Sequence, residues 1–133
     1  MEFAFDPNGP SEYVPYSLDR NAVCYTGTHD NSPVAEWIKE TSEGSLKLAM
    51  DYMNVESTDQ VVWGMIRTAM STVCDLCIIQ LQDYLELDGK ARMNCPGISD
   101  GINWTWRVRG ELLTEDLAKK IRHMTDLYGR TPQ

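Results

Sequence analysis

The chain has 133 residues, 42% hydrophobic and 24% charged, and its 12 Lys and Arg against 20 Asp and Glu leave a net charge of −8. This is the composition of a globular protein with enough apolar residues for a core. It excludes two classes: no run approaches the ~20 apolar residues of a membrane span, and an acidic balance opposes nucleic acid, whose binding rests on Lys and Arg neutralising phosphates.

The start, Met1-Glu2-Phe3-Ala4-Phe5-Asp6, lacks the basic stretch, apolar core and small-residue cleavage site of a secretory signal, so a cytoplasmic setting is expected. Phe3-Ala4-Phe5 has the look of a strand tail. Asp6-Pro7-Asn8-Gly9-Pro10, continuing to Asn21, is rich in turn formers and predicts a long loop. Ala22 to Thr26 is apolar and β-prone, as a buried parallel strand would be, and ends on the polar cluster Gly27-Thr28-His29-Asp30-Asn31.

Ser32 as cap and Pro33 at the first position then predict a helix carrying Val34, Trp37 and Ile38 on its apolar stripe. A second helix is expected over Ser45–Met53, burying Leu46, Leu48, Ala49 and Met53. Ser57-Thr58-Asp59-Gln60 matches the capping box and opens a third, with Val61, Met65, Thr68, Ala69 and Met70 inward. Leu76 to Leu81 reads as a second buried strand, closing on Gln82-Asp83. Strand, helices, strand is the βαβ pattern of a parallel sheet. After the loop from Ala91 to Gly101, Asn103-Trp104-Thr105-Trp106-Arg107 fits either strand or loop. A last helix starts at Thr114, with Leu117, Ile121, Met124 and Tyr128 on its stripe and Gly129 ending it.

Cys24, Cys74, Cys77 and Cys95 are expected to be reduced and structural: Cys74-x-x-Cys77 lies among apolar residues, and no second ligand pair completes a zinc site. Neither metal nor cofactor is expected. Chemistry in parallel α/β proteins gathers at the C-terminal ends of strands, where His29-Asp30-Asn31 and Gln82-Asp83 fall. An adjacent His and Asp on extended chain would point opposite ways, so this pair alone reads as a cap or turn. Carboxylates and amides beside the aromatic, amide-rich loop of Asn94, Asn103, Trp104 and Trp106 are what sugar recognition needs.

Tyr25-Thr26-Gly27-Thr28-His29-Asp30-Asn31, Leu81-Gln82-Asp83-Tyr84-Leu85, Ala91-Arg92-Met93-Asn94-Cys95-Pro96-Gly97 and Asn103-Trp104-Thr105-Trp106-Arg107 resemble, in order and spacing, successive blocks of 4-α-glucanotransferase (amylomaltase, or disproportionating enzyme; glycoside hydrolase family 77). Phe3-Ala4-Phe5-Asp6 resembles the block before them. The resemblance implies a (β/α)8 TIM barrel that passes α-1,4-glucan segments from a maltodextrin donor to a sugar acceptor by a retaining mechanism, without cofactor. It implies that Asp30 stabilises the distorted sugar at the cleavage point and that His29 and Asn94 bind substrate. Asn31 would support them from behind, Gln82 and Asp83 would either do the same or close the strand end by capping the next short helix, and Trp104 and Trp106 would pack beneath the barrel or order the loop, or else stack on sugar. Arg92 and Arg107 could pair with nearby carboxylates. Ser32-Pro33, Gln80 and Cys95 depart from the family pattern without touching His29 or Asp30.

A complete barrel takes about 250 residues. Residues 1–133 are therefore expected to be a C-terminal fragment holding the end of strand six, strands seven and eight and the final helix, helix-rich with a few short parallel strands. The nucleophile and acid/base would lie upstream, so the fragment alone is expected to be inactive, and its open sheet edges to favour self-association. Two other readings stand beside this one. A non-catalytic helical module could bind a partner through Met50, Met53, Met65 and Met70, or the chain could be a stand-alone glucan-binding domain.

Overall fold

In the computed structural model, which describes residues 1–99 and 101–131, the organising unit is a strand, three helices and a second strand. Strand β1 (Val23–Tyr25) leads through helices α1 (Val34–Glu40), α2 (Glu43–Met53) and α3 (Val61–Met70) to strand β2 (Leu76–Ile78). The strands pair in parallel, Val23 against Leu76, Cys24 against Cys77 and Tyr25 against Ile78. A short helix α4 (Leu81–Tyr84) follows at once, and α5 (Glu115–Leu127) closes the fold.

The core forms around α3, because its apolar residues outnumber those of one amphipathic stripe. Val61, Val62, Met65, Ile66 and Met70 pack with Val34 and Trp37 of α1, Ala49 of α2 and Met124 of α5. A methyl group on Gly64 would lie 3.2 Å from both Met53 and Val55, so a glycine is what lets the segment after α2 approach α3 this closely. Met65 and Met70 are buried and Met50 and Met53 pack against the same cluster. The methionine stripes are core, which removes the surface that the helical interaction module required.

On the other side of α3, Ala69 packs with Cys24 and Cys74 beneath the ladder. That is the one face of the sheet that helices cover. Val23, Tyr25, Leu76 and Ile78, on the opposite face, stand exposed. The expectation of two fully buried strands is corrected accordingly: alternate residues of a strand point to opposite faces, and the described residues cover one of them.

Other expectations shift for local reasons. Phe3-Ala4-Phe5 is no strand but follows a 3-10 turn over Glu2–Ala4, closed by Ala4 N–H to Met1 O at 2.8 Å. Adjacent Ala4 and Phe5 are buried while Phe3 is 64% exposed, which a pleat with period two would not produce. Ser57 and Gln60 do not form the reciprocal box. Gln60 Oε1 accepts instead from Glu56 N–H at 3.0 Å, because a 3-10 turn over Thr58–Gln60 precedes α3. Ser42 rather than Ser45 opens α2, accepting Ser45 N–H at 3.1 Å, and Leu48 faces solvent while Met50 turns inward. Asn54 ends α2 in the left-handed conformation, with φ 53°.

Helix α5 starts as its sequence indicates, with Thr114 Oγ1 accepting Leu117 N–H at 3.2 Å, and Gly129 at φ 64° ends it. Arg130 then reaches back across the fold. Its guanidinium donates to Met70 O at 2.7 Å, Thr72 O at 2.9 Å and Cys74 O at 3.1 Å, capping the carbonyl end of α3 with a positive charge and tying α5 to the turn before β2.

Candidate active site at the strand ends

The candidate residues gather beyond the C-terminal ends of β1 and β2. Below them lies a buried anchor. Thr26, the residue after β1, donates its hydroxyl to Asp83 Oδ2 at 2.5 Å, while Asp83 Oδ1 accepts Val34 N–H, the first of α1, at 2.8 Å. Asp83 thus caps α1 from 49 positions along the chain. Ser32, the cap expected from sequence, is occupied elsewhere: its hydroxyl donates to Glu40 Oε2 at 2.8 Å and accepts from Arg92 at 3.0 Å. Burial raises the Asp83 carboxyl above the usual carboxylate range, and the bonds from Thr26 and Val34 pull it back. Gln82 and Asp83 belong to α4 rather than to the strand end, and Gln82 Nε2 donates to Ala91 O at 3.0 Å, holding the entry to the next loop.

Above the anchor the chain turns sharply over Thr28-His29-Asp30-Asn31. Asn31 Oδ1 accepts both Thr28 N–H at 2.8 Å and the Thr28 hydroxyl at 2.9 Å, and Asn31 N–H returns to Thr28 O at 3.0 Å. A methyl group on Gly27 would meet Gln80 Nε2 at 2.7 Å and Glu2 Oε1 at 2.9 Å, so a larger residue at the foot of this turn would have to displace the ends of these two side chains. Because the backbone is turned rather than extended, His29 and Asp30 converge, with Nε2 to Oδ1 at 3.3 Å. Both side chains are about half exposed.

The second wall is the Arg92–Asn94 segment. Asn94 N–H donates to His29 O at 3.1 Å and Asn94 Nδ2 to Asp30 Oδ1 at 2.7 Å. Behind them Arg92 donates to Asp30 O at 2.5 Å, Asn94 O at 2.9 Å and Ser32 Oγ at 3.0 Å. Of the partners the sequence left open, Arg92 takes carbonyls and a hydroxyl, and Arg107 takes the carbonyls Trp104 O at 2.9 Å and Trp106 O at 2.7 Å. Asn103 Oδ1 accepts Cys95 N–H at 2.9 Å and its Nδ2 donates to Ile98 O at 2.8 Å, folding the loop between them. Residues 103–107 are loop, not strand.

Thus His29, Asp30 and Asn94 form one cluster. Asn31 locks the turn, and Gln82 and Asp83 lie buried below. Among the described residues Asp30 Oδ2 accepts no hydrogen bond, so the carboxylate keeps acceptor capacity on its open side. No cluster of metal-ligating side chains occurs among the described residues, and no described helix is long and apolar enough to cross a membrane. Sequence reasoning missed Arg92 as the clamp and Trp104 as a neighbour of His29, with ring centroids 5.0 Å apart. Neither pairing has a short-range signal, since each joins segments some 60 to 75 residues apart.

A carboxylate, an imidazole and an amide gather at the C-terminal ends of two parallel strands, where the active-site groups of several parallel α/β families are found. The comparisons specify which. The family model described as 4-alpha-glucanotransferase matches residues 1–114, and the chain belongs to that family. The 4-alpha-glucanotransferases of Clostridium butyricum and of a Synechocystis species are 37% and 38% identical to it over 131 residues. Each alignment takes in 98% of this chain but only 27% and 26% of the relative, so the chain spans about a quarter of the length of these relatives. Amylomaltase from Streptococcus agalactiae, solved in complex with acarbose, superposes with a TM-score of 0.92 at 33% identity, over 99% of this chain and 27% of that one. The fold is a portion of a TIM barrel, helix-rich with two short parallel strands.

Proposed function

We propose that residues 1–133 are the C-terminal part of the catalytic barrel of a 4-α-glucanotransferase, comprising the end of strand six, strand seven as β1, strand eight as β2 and the final helix. The whole enzyme would transfer α-1,4-glucan segments from a maltodextrin donor to a sugar acceptor with retention. The observation that carries this reading is the Asn94 amide on Asp30 Oδ1 at 2.7 Å, which orients a half-exposed carboxylate at a strand end within a chain of this family.

In this reading Asp30 accepts hydroxyl hydrogens of the sugar at the cleavage point and stabilises its distorted, positively charged transition state. Asn94 fixes one carboxylate oxygen and leaves the other for substrate. His29, beside the same oxygen, binds the same sugar. Retaining transfer also needs a nucleophile and an acid/base about 5–5.5 Å apart. Asp83 can supply neither role, since both of its oxygens are committed to Thr26 and Val34 and the residue is fully buried. In this reading the pair is supplied by residues outside this chain. A cytoplasmic setting belongs to the same reading: all four cysteines are free thiols, the state that a reducing compartment maintains.

Two measurements test it. Incubated with maltotriose, the chain alone yields no longer maltodextrins; their appearance would contradict the division of catalytic groups. Titrated with maltoheptaose and followed by amide NMR, the resonances of His29, Asp30 and Asn94 move, and Asp30→Ala abolishes the movement.

A further inference from the structure

Trp104 is the exposed aromatic residue that the fold spends most to place. Its φ is +68°, in the left-handed region that glycine enters freely and a bulky side chain enters only with strain. It is also 51% exposed, although a tryptophan is among the most favourable side chains to bury. Such a conformation persists only where its surroundings over-determine it. Here Trp104 N–H donates to Met93 O at 2.7 Å, next to Asn94, and Arg107 donates to Trp104 O at 2.9 Å. The indole is steered away from the core and against His29, centroids 5.0 Å apart and planes tilted by 44°. Within this chain Trp104 lies outside the core and stands at the rim of the Asp30–Asn94 cluster.

We propose that Trp104 is a stacking platform for a glucose unit of the glucan chain, next to the unit that Asp30, His29 and Asn94 hold. This rests on the preceding reading that the cluster binds glucan. A pyranose presents hydroxyls at its edge and an apolar C–H face, and the site offers the matching pair of surfaces: acceptors and amide on Asp30 and Asn94, and a flat ring beside them. His29 serves both, touching the carboxylate at 3.3 Å on one side and the indole on the other. The strained backbone keeps the ring at the rim before any sugar arrives, so little ordering remains to be done on binding. Arg107, bonded to the carbonyls of Trp104 and Trp106, is the positioning residue for the platform.

The test is maltoheptaose titration of the full chain by NMR, reading the Trp104 indole N–H together with the Asn94 side-chain amide. In the wild type both move along one binding curve. Trp104→Gly suits φ +68° and leaves the backbone unstrained, so the remaining spectrum stays native while affinity falls by roughly tenfold. Trp104→Phe, which keeps a flat ring, recovers most of that loss. If Asn94 moves while the indole stays fixed, or if Trp104→Gly binds as the wild type does, the platform is refuted and the glucan site at Asp30 stands. If Trp104→Phe binds as poorly as Trp104→Gly, stacking is refuted as the source of affinity. If neither probe moves, both readings fall together.

Discussion

Asn94 donates its side-chain amide to Asp30 at 2.7 Å across 64 residues of sequence, and Arg92 ties both of their backbones together from behind. The orientation of the carboxylate therefore depends on a side chain that does not face the groove. Three donors in one fixed fork reach Asp30 O, Asn94 O and Ser32 Oγ, a geometry that a lysine ammonium cannot copy.

Replacing Arg92 should accordingly loosen the site even when charge is kept. Both Arg92→Lys and Arg92→Ala are expected to lower stability by about 1–3 kcal/mol, through carbonyls left unpaired in a half-buried position. The Asn94 side-chain amide resonances should shift toward those of a free, exposed amide. Urea denaturation and a two-dimensional amide spectrum check this. An Arg92→Lys protein with wild-type stability and an unmoved Asn94 resonance would show that the clamp is dispensable.

Asp83 joins β1 to α1 through two buried bonds, and removing it strands the Thr26 hydroxyl and the Val34 N–H together. Each unsatisfied buried group costs about 1–3 kcal/mol, so Asp83→Ala should destabilise by about 2–5 kcal/mol. Asp83→Asn should cost less, near 1 kcal/mol, since one oxygen still caps α1 and the amide can donate to Thr26. The difference between the two variants in urea is the informative quantity. Equal losses would mean that charge, not hydrogen-bond geometry, matters at this position.

These two contacts mark the boundary of what could be read from the chain. The order of strands and helices, the parallel ladder, the Thr114 cap and the Gly129 stop were legible because apolar spacing and capping chemistry act within a few residues. The polar turn at the end of β1 was legible for the same reason. Its cap was not: Ser32-Pro33 has the local form of a helix start, yet Asp83 outcompetes Ser32 from 49 residues away. Likewise Arg92 and Trp104 have no sequence neighbours that announce their partners. The convergence of His29 with Asp30 is not legible, because it depends on the Asn31 side chain folding the backbone back onto Thr28, which alternation along an extended chain does not show.

Glu2 supplies a pH test. Its Oε1 is buried without a hydrogen-bond partner among the described residues, and burial, followed by the nearby charge of Asp83, pushes its carboxyl up to about 8 from the ordinary 4.5. Between these two values the folded chain holds a proton that the unfolded chain has released. Stability is therefore fully present below about 4.5, falls as pH rises toward about 8, and levels off above. With allowance for partial exposure the loss is on the order of 2 kcal/mol. Glu2→Gln should flatten that slope, so that the variant is the more stable protein at pH 9. Urea midpoints measured from pH 5 to pH 9 decide it, and a slope unchanged by Glu2→Gln would assign the effect to another group.

The uncovered face of the ladder bears on the chain's behaviour in isolation. Val23 stands directly opposite Leu76 and Tyr25 opposite Ile78, so one side of the sheet carries four apolar side chains in two cross-strand pairs, all exposed. Among the described residues the sheet has only these two strands, so each has an outer edge that no third strand pairs, the usual template for addition of another chain. We expect concentration-dependent self-association by sedimentation velocity. Leu76→Lys combined with Ile78→Lys should suppress it, because the substituted residues point away from the Cys24–Ala69–Cys74 cluster and leave the core intact. Weakening rather than strengthening in high salt would point to charged surfaces, since apolar burial is not screened. A chain that sediments as a monomer at every concentration would show that the twist of two short strands already shields the face.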